Sequence, residues 1–322
     1  MRGTTAPRVR PAARRVAVVL IGLLVWLAPT AAPAGAVGRE AVAVRAPDAV
    51  NVSGSSAAGV VTSSSGCPSG PLDTTRRLTG GTALSPGVFS SLASQLSVDL
   101  PFRVGGTQAA LPGGEGRVAL TNARGTLTLA LTAGDCTTPT LSYDGTKVSG
   151  SGTWTVVPDA TPANAYRGAT GGGSFTVTSD VTPGTGKLWT VNLTGNVTLL
   201  QPQVAVTQRA FWGGIGNYFT RTLSVEYRIR NTGPGDAFGV KLIDALPTGS
   251  GITRLGPVPQ TVGAIPAGGS APVVVRYRVC PVTVIGCRFT ANTQTFLTDA
   301  LDANGHTQTV PVAVAVPITP FP

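Results

Sequence analysis

Hydrophobic and polar residues alternate along much of the chain after Cys67. In the segment GTLTLALTA, Leu127, Leu129 and Leu131 share one face, and residues 188–200 repeat this pattern over a longer run. A period of two places successive side chains on opposite faces of a strand, so each segment predicts an antiparallel strand with one buried face. The 42 glycines and 26 prolines of the 322 residues supply turns between such strands. The predicted fold class is therefore all-β.

The strand pattern divides into two predicted modules. Residues 67–201 predict an antiparallel β-barrel or sandwich, because several strands follow one another at short intervals. Residues 203–317 predict about seven strands, which is the size of an Ig-like β-sandwich. Pro202 marks the boundary, since proline cannot join a central sheet ladder. Residues 37–66, rich in Ala, Ser and Gly, are expected to form a flexible N-terminal segment with room for one short strand.

Residues 1–36 have the features of a secretory signal peptide. A basic region at residues 8–15 precedes an apolar run at residues 16–28, and Ala34, Gly35 and Ala36 fit the small-residue cleavage rule. The apolar run is shorter than the roughly 20 residues of a membrane-spanning helix. We therefore expect a bacterial protein that is secreted and has no stable membrane anchor.

The net charge and its distribution limit the classes of partner that we expect. Five arginines lie in the predicted signal peptide, so its removal lowers the formal charge from +10 to about +5, and the remaining excess is expected to be spread along the chain. Nucleic-acid binding needs a concentrated basic face, and no run of Lys or Arg predicts one. The expected partner is a cell-surface polymer or a protein. The charge excess has two interpretations, which are weak attraction to anionic polymers and solubility of the protein.

Four cysteines, Cys67, Cys136, Cys280 and Cys287, predict two disulfides in an exported protein. Three pairings are open, and we favour Cys280–Cys287 because CPVTVIGC can close a short loop between two strands, which leaves Cys67–Cys136. Zinc is disfavoured, because the spacings do not fit a zinc site and the only histidine, His306, has no neighbouring cysteine. No metal or cofactor is expected.

The second module carries RNTGPGDAFGVKLIDALPTG at residues 230–249, followed by GAIPAGGSAPVVVRYRV at residues 263–279. These motifs, in this order, resemble the DUF11/CARDB-type Ig-like repeats of bacterial secreted and surface proteins. The resemblance implies a β-sandwich that serves as a spacer, stalk or adhesion module and carries no catalytic residues. Tandem arrays are common in that family, whereas this chain has one copy.

The first module carries AYRGATGGG at residues 165–173, preceded by GSGTWTVVP. This short stretch resembles an element of small eight-stranded barrels of the allene-oxide-cyclase and dirigent type. The resemblance implies a barrel, but a fold does not transfer an activity. An open barrel lined with polar groups would favour a ligand-binding protein or a cyclase-type enzyme, and a barrel filled by Leu, Val and Trp would favour a structural protein.

Residues able to carry catalysis are few, and we expect no enzyme. His306 follows a predicted turn, and no GxSxG motif presents a serine to it. Four aspartates could act as paired carboxylates, but each lies in or beside a turn, where local hydrogen bonding favours Asp; they are Asp135, Asp144, Asp159 and Asp180. A calcium loop at Asp299, Asp302 and Asn304 lacks its distal glutamate, so a hairpin turn is the simpler explanation.

Aromatic residues give the candidate ligand-binding positions, which are Trp212, Tyr218 and Tyr166. Trp212 and Tyr218 lie in the Gly-rich segment AFWGGIGNYF, which predicts either an exposed recognition patch or a plug at the end of a sandwich. The expected function is a structural, adhesion-type or partner-binding role without catalysis. The alternatives are an extracellular carbohydrate- or small-ligand-binding protein and, after that, a cyclase-type barrel enzyme.

Overall fold

A computed structural model describes residues 47–84, 95–161, 164–249, 251–281, 287–298 and 305–319. The predicted signal peptide and the candidate calcium residues Asp299, Asp302 and Asn304 lie outside these ranges. The described residues form seventeen strands and one short helix, which confirms the all-β prediction.

The first nine strands form a closed antiparallel barrel. Eight of them follow the order β1-β2-β3-β4-β5-β7-β8-β9, and β9 pairs with β1 to close it. The ninth, β6, also lies between β4 and β7, beside the position of β5. The strand bounds are β1 (Asp48–Ser65), β2 (Thr74–Ala83), β3 (Gln95–Gly105), β4 (Gln108–Asn122), β5 (Gly125–Ala133), β6 (Leu141–Tyr143), β7 (Lys147–Val156), β8 (Thr170–Asp180) and β9 (Gly184–Thr198).

Residues 48–65 differ from the expected flexible segment, because they form β1, an 18-residue strand of the barrel wall. Val50, Val52 and Val61 point into the barrel and are buried. Gly54 also faces inward, and a Cβ there would lie only 2.9 Å from the side chain of Leu96. Small residues are thus needed where β1 passes large neighbours, and the Ala/Ser/Gly composition is compatible with a strand.

Large apolar side chains fill the barrel interior. The indole of Trp154 donates hydrogen bonds to the carbonyls of Ser174 (3.0 Å) and Thr194 (3.1 Å). A Cβ on Gly195, whose φ is 155°, would lie 2.6 Å from this ring, so this glycine of β9 makes room for it. Other fully buried side chains in this core are Leu78, Leu96, Leu100, Phe102, Leu111, Phe175 and Trp189.

The remaining strands form two four-stranded antiparallel sheets around a second core. One sheet has the order β10-β11-β15-β13 and the other β14-β12-β16-β17. Both contribute to one apolar cluster that includes Val225, Tyr227, Leu242, Tyr277 and Phe289, so the sheets pack as a sandwich. The bounds are β10 (Val204–Trp212), α1 (Ile215–Phe219), β11 (Thr222–Asn231), β12 (Ala237–Thr248), β13 (Thr253–Arg254), β14 (Gln260–Ile265), β15 (Ser270–Arg278), β16 (Arg288–Thr298) and β17 (His306–Ala315).

Asn231 is a fully buried amide that ties the connecting segment to the sandwich. Its side-chain oxygen accepts hydrogen bonds from the N–H groups of Gln203 and Gly233, both at 3.1 Å. Its amide nitrogen donates to the carbonyls of Gly235 (2.7 Å) and Ile265 (3.1 Å). One side chain therefore connects the segment before β10, the turn after β11 and the end of β14.

Two barrel arginines contact one end of the sandwich. Arg124 lies over the ring of Phe238, 4.6 Å from its centroid, and donates to the hydroxyl of Thr298 at 2.9 Å. Arg167 forms an ion pair with Asp236 at 2.9 Å. The end of the sandwich that holds Asp236 and Phe238 therefore faces the barrel.

The favoured disulfide pairing is confirmed. Cys67 is bonded to Cys136 within the barrel module, and Cys280 is bonded to Cys287 in the sandwich. No free cysteine is found among the described residues.

Replacing Asn231 by alanine is expected to lower the free energy of unfolding by about 3 kcal/mol or more, because four backbone groups in a buried region lose their partner. Urea unfolding of the mature chain measures this change. The control Asn292→Ala removes an exposed asparagine and is expected to change stability by less than about 0.5 kcal/mol. Equal effects of the two substitutions would contradict the role given to Asn231.

Candidate functional site

The four candidate carboxylates bind their own turns. Asp144 accepts hydrogen bonds from the N–H groups of Lys147 (2.6 Å) and Thr146 (2.8 Å) and from the Thr146 hydroxyl (2.9 Å). Asp135 does the same with Thr137 and Thr138. These hydrogen bonds stabilise the charged form, so they hold the pKa of each carboxyl below its ordinary value. The aspartates whose pKa is lowered in this way are Asp135, Asp144, Asp159 and Asp180.

The candidate aromatic residues lie in two places. Tyr166 is buried in the barrel module, where its hydroxyl accepts a hydrogen bond from the Asn122 amide. Trp212 and Tyr218 lie together at one end of the sandwich, with ring centroids 5.4 Å apart. Trp212 is only 7% exposed and donates to the carbonyl of Pro317 at 3.1 Å, so it plugs this end, whereas Phe219 beside Tyr218 is 69% exposed. The aromatic segment thus contains both a plug and an exposed side chain.

The outer face of the β10-β11-β15-β13 sheet gathers arginines from three strands. Arg228 and Arg230 point outward from β11, because they alternate with the buried Tyr227 and Ile229. Arg276 and Arg278 alternate in the same way with buried residues of β15, the strand paired with β11. Arg209 points outward from β10 on the other side of β11. We call these five exposed residues, Arg209, Arg228, Arg230, Arg276 and Arg278, the arginine face.

Glu226 is the only acidic residue on the arginine face within the described parts of β10, β11 and β15. It lies directly opposite Arg209 in the strand register and forms an ion pair with Arg228 at 3.3 Å. Of the five arginines, Arg228 alone has an ion pair among the described residues. A shallow groove of about 180 Å³ crosses this surface, lined by Thr207, Gln208, Arg209, Glu226 and Arg228.

The arginine face gathers part of the charge excess on one sheet, while other basic residues, such as Arg77, Arg103 and Arg117, lie on the barrel. The sequence contains no run of basic residues, but Arg-Ile-Arg at residues 228–230 and Arg-Tyr-Arg at residues 276–278 each place two arginines on one side of a strand. Antiparallel pairing puts both pairs on one sheet surface, with Arg276 and Arg278 nearer the start of β11 and Arg228 and Arg230 nearer its end. Arginines at alternate positions of a predicted strand are therefore the sequence pattern that indicates a basic surface on a sheet, and consecutive basic residues are not required.

A second surface covers four strands of the barrel wall. In register across β1, β9, β8 and β7, the middle row consists of Ser53, Asn192, Thr176 and Ser151. The rows on either side also consist of Ser, Thr and Asn. One row is Asn51, Thr194, Ser174 and Thr153, and the other is Ser55, Thr190, Thr178 and Ser149. We call these twelve residues the hydroxyl face; all are exposed except Thr190, which is half-buried.

Side chains of the hydroxyl face bond to one another across strands. Ser53 donates to the amide oxygen of Asn192 at 2.6 Å, and Asn192 donates to the Thr176 hydroxyl at 3.0 Å. The Ser174 and Thr194 hydroxyls are 2.9 Å apart. Neighbouring strands are about 4.8 Å apart, and alternate residues on a strand are separated by about 7 Å. The result is a regular, uncharged array of hydrogen-bonding groups.

Other site types find no support among the described residues. No group of three or more His, Cys, Asp and Glu side chains there is arranged to hold a metal ion. No described helix has the length and apolar character to cross a bilayer. His306 is exposed at the start of β17. No protein-family model matches the chain, and no curated protein matches its sequence.

Stability is expected to fall in acid, because the aspartates of the four turns have lowered pKa values in the folded state. Their contribution is complete above the unfolded value of about 3.9 and is lost as pH falls through the lower folded values. Urea midpoints between about pH 7 and about pH 2 measure the loss.

Asp135→Asn keeps a turn acceptor but no longer titrates, so its midpoint should fall less in acid than that of the unchanged protein. Asp135→Asn combined with Asp144→Asn should flatten the acid dependence further. An acid dependence that both variants leave unchanged would show that these turns do not determine it.

Proposed function

We propose that the protein is an exported, non-catalytic binding protein that holds an anionic cell-surface polymer on its arginine face. The observation that carries the proposal is the grouping of five exposed arginines around one glutamate on a single sheet. Five arginines and one glutamate leave this surface with an excess of positive charge, which attracts anions. A polymer that carries phosphate or carboxylate groups gains charge-assisted hydrogen bonds from the arginines.

The scaffold suits this role. The four arginines of β11 and β15 alternate with buried residues such as Tyr227, Ile229 and Tyr277, so the spacing of their backbones is set by the core. Two disulfides and the signal-like leader favour an extracellular setting, where phosphate- and carboxylate-bearing polymers occur. The resemblance of residues 230–279 to Ig-like spacer and adhesion repeats supports a binding role without chemistry.

Substitutions on the arginine face should change polyanion binding in both directions. With inorganic polyphosphate as the probe, Arg228→Ser combined with Arg276→Ser is expected to weaken binding by about tenfold or more, since each lost contact costs about 1 kcal/mol. Glu226→Gln is expected to strengthen binding, because Glu226 competes with the polymer for Arg228. Titration calorimetry at about 0.05 M and about 0.3 M salt measures both effects, and the added salt should weaken all binding.

The control variant carries Arg117→Ser and Lys241→Ser, which remove the same charge from the barrel and from the opposite sheet. It should bind polyphosphate within about twofold of the unchanged protein, since binding depends on position rather than on net charge. A control as weak as the arginine-face variant would reduce the proposal to a net-charge effect and contradict it.

The hydroxyl face supports a second candidate function, which is binding of a neutral polysaccharide. Its twelve side chains carry no charge and no aromatic ring, so it suits a ligand recognised by hydroxyl hydrogen bonds. Cross-strand hydrogen bonds hold part of the array in place and reduce the entropy lost on binding.

Retention on microcrystalline cellulose and chitin tests this second candidate. Alanine at Ser53, Asn192 and Thr176 removes the middle row and should abolish retention on whichever polymer binds the unchanged protein. Alanine at Thr207, Thr290 and Asn292 of the sandwich should have no effect. Retention that survives loss of the middle row, or retention on neither polymer, would contradict this function.

A further inference from the structure

The end of the sandwich away from the barrel presents three large apolar side chains to solvent. Phe219 is 69% exposed, Ile318 is 71% exposed and Ile215 is 53% exposed. Ile215 and Phe219 bound α1, a five-residue helix with no buried residue. We call these three residues the apolar tip. The hydroxyl of Tyr218 donates to the carbonyl of Ile318 at 3.1 Å, which joins α1 to the segment after β17.

A rigid platform holds the apolar tip. The guanidinium of Arg221 lies 4.7 Å from the ring centroid of Trp212 and 5.6 Å from that of Tyr218. The Nε–H of Arg221 donates to the carbonyl of Cys280 at 2.7 Å, and Cys280 is bonded to Cys287. Aromatic stacking, a charged hydrogen bond and a disulfide therefore fix the base from which Phe219 projects. Burial of Phe219 does not stabilise the fold, because this side chain is exposed to water. Exposed apolar side chains held together at one end of a protein indicate a surface that contacts another molecule or a membrane.

The charge around the apolar tip has one sign. Arg276 and Arg278 lie at this end of β15, and Arg288 is exposed at the start of β16. Among the described residues of 213–222, 246–253, 276–281, 287–290 and 316–319, none is acidic. The tip thus combines apolar side chains at its outermost point with cations at its base.

We infer that the apolar tip inserts into the interfacial region of an anionic phospholipid bilayer, with Arg276, Arg278 and Arg288 on the headgroup phosphates. A bilayer surface offers an apolar layer beneath a layer of negative charge, which matches this order of side chains. A soluble polyanion accounts for the arginines but leaves Phe219, Ile215 and Ile318 without a role. The inference rests on the proposed function only in sharing Arg276 and Arg278 with it.

The binding test uses the full mature chain and sedimented vesicles. The unchanged protein should bind phosphatidylcholine vesicles that contain roughly 30% phosphatidylglycerol and should bind pure phosphatidylcholine much more weakly. Phe219→Ser combined with Ile215→Ser should lower the partition coefficient by at least about tenfold, because two apolar side chains lose their burial. The fold should be unaffected, since both side chains are exposed in the free protein.

A matched control is Leu188→Ser combined with Val60→Ser, which removes two exposed apolar side chains from the barrel, 61% and 39% exposed. It should partition like the unchanged protein. Phe219→Trp provides a direct readout, because its emission should shift to the blue with anionic vesicles only if the tip enters the bilayer. Leu188→Trp should show no such shift.

Three results would overturn the inference: binding of neither vesicle by the unchanged protein, equal binding of both vesicles, or unchanged partitioning of the Phe219→Ser, Ile215→Ser variant. None of them affects the polyphosphate titration, in which these two substitutions should have no effect. Loss of polyphosphate binding on removing Arg228 and Arg276 therefore tests the proposed function separately. Capture of a protein ligand through the tip, without vesicle binding, would also contradict insertion.

Discussion

Antiparallel strand register is the constraint on which every surface feature of this protein depends. Because side chains alternate across a strand, burial of one face leaves the other face as a set of outward positions at fixed spacing. Register then decides which outward positions become neighbours. In the sandwich it places Arg209 opposite Glu226, and it puts the arginines of β11 and β15 on one surface, opposite uncharged residues of the paired strand. In the barrel it places Ser, Thr and Asn in unbroken rows.

The two modules use this constraint in different ways. The interior of the barrel is filled by Trp154, Trp189 and leucines, and its rows of Ser, Thr and Asn lie on the outside of the wall. The sandwich carries five exposed arginines on one sheet, and Trp212 closes its far end. The barrel arginines Arg124 and Arg167 contact the sandwich through polar groups, and Asn231 fixes the connecting segment to the sandwich. The chain therefore presents surfaces fixed on rigid scaffolds, which suits binding by contact.

Much of the fold was predictable because local pattern and burial agree. The inward positions of β5, β9, β11 and β15 follow directly from alternation, and each is buried as expected. Cysteine spacing was enough to favour the observed pairing. β1 was missed because its inward positions include Gly54 and Gly59, which show no hydrophobic period and are small because Leu96 and Trp189 occupy the space.

The candidate surfaces were harder to predict, because they depend on contacts between distant parts of the chain. Arg228 and Arg276 come onto the same sheet surface only through the β11–β15 pairing, which no local signal specifies. The burial of Trp212 and the exposure of Phe219 depend on the segment at Pro317 and Ile318, more than 90 residues away in sequence. Local sequence indicated an aromatic cluster, but only its C-terminal partner decides which ring is the plug.

The most direct test of the account is a nuclear magnetic resonance titration of the arginine Nε–H signals of the mature chain with inorganic polyphosphate. If the arginine face binds the polymer, the signals of Arg209, Arg228, Arg230, Arg276 and Arg278 shift together at low polyphosphate concentration, while those of Arg77 and Arg117 on the barrel stay in place. Shifts spread evenly over the arginines of both modules would contradict the account, because they would show that net charge, and not the arginine face, attracts the polymer.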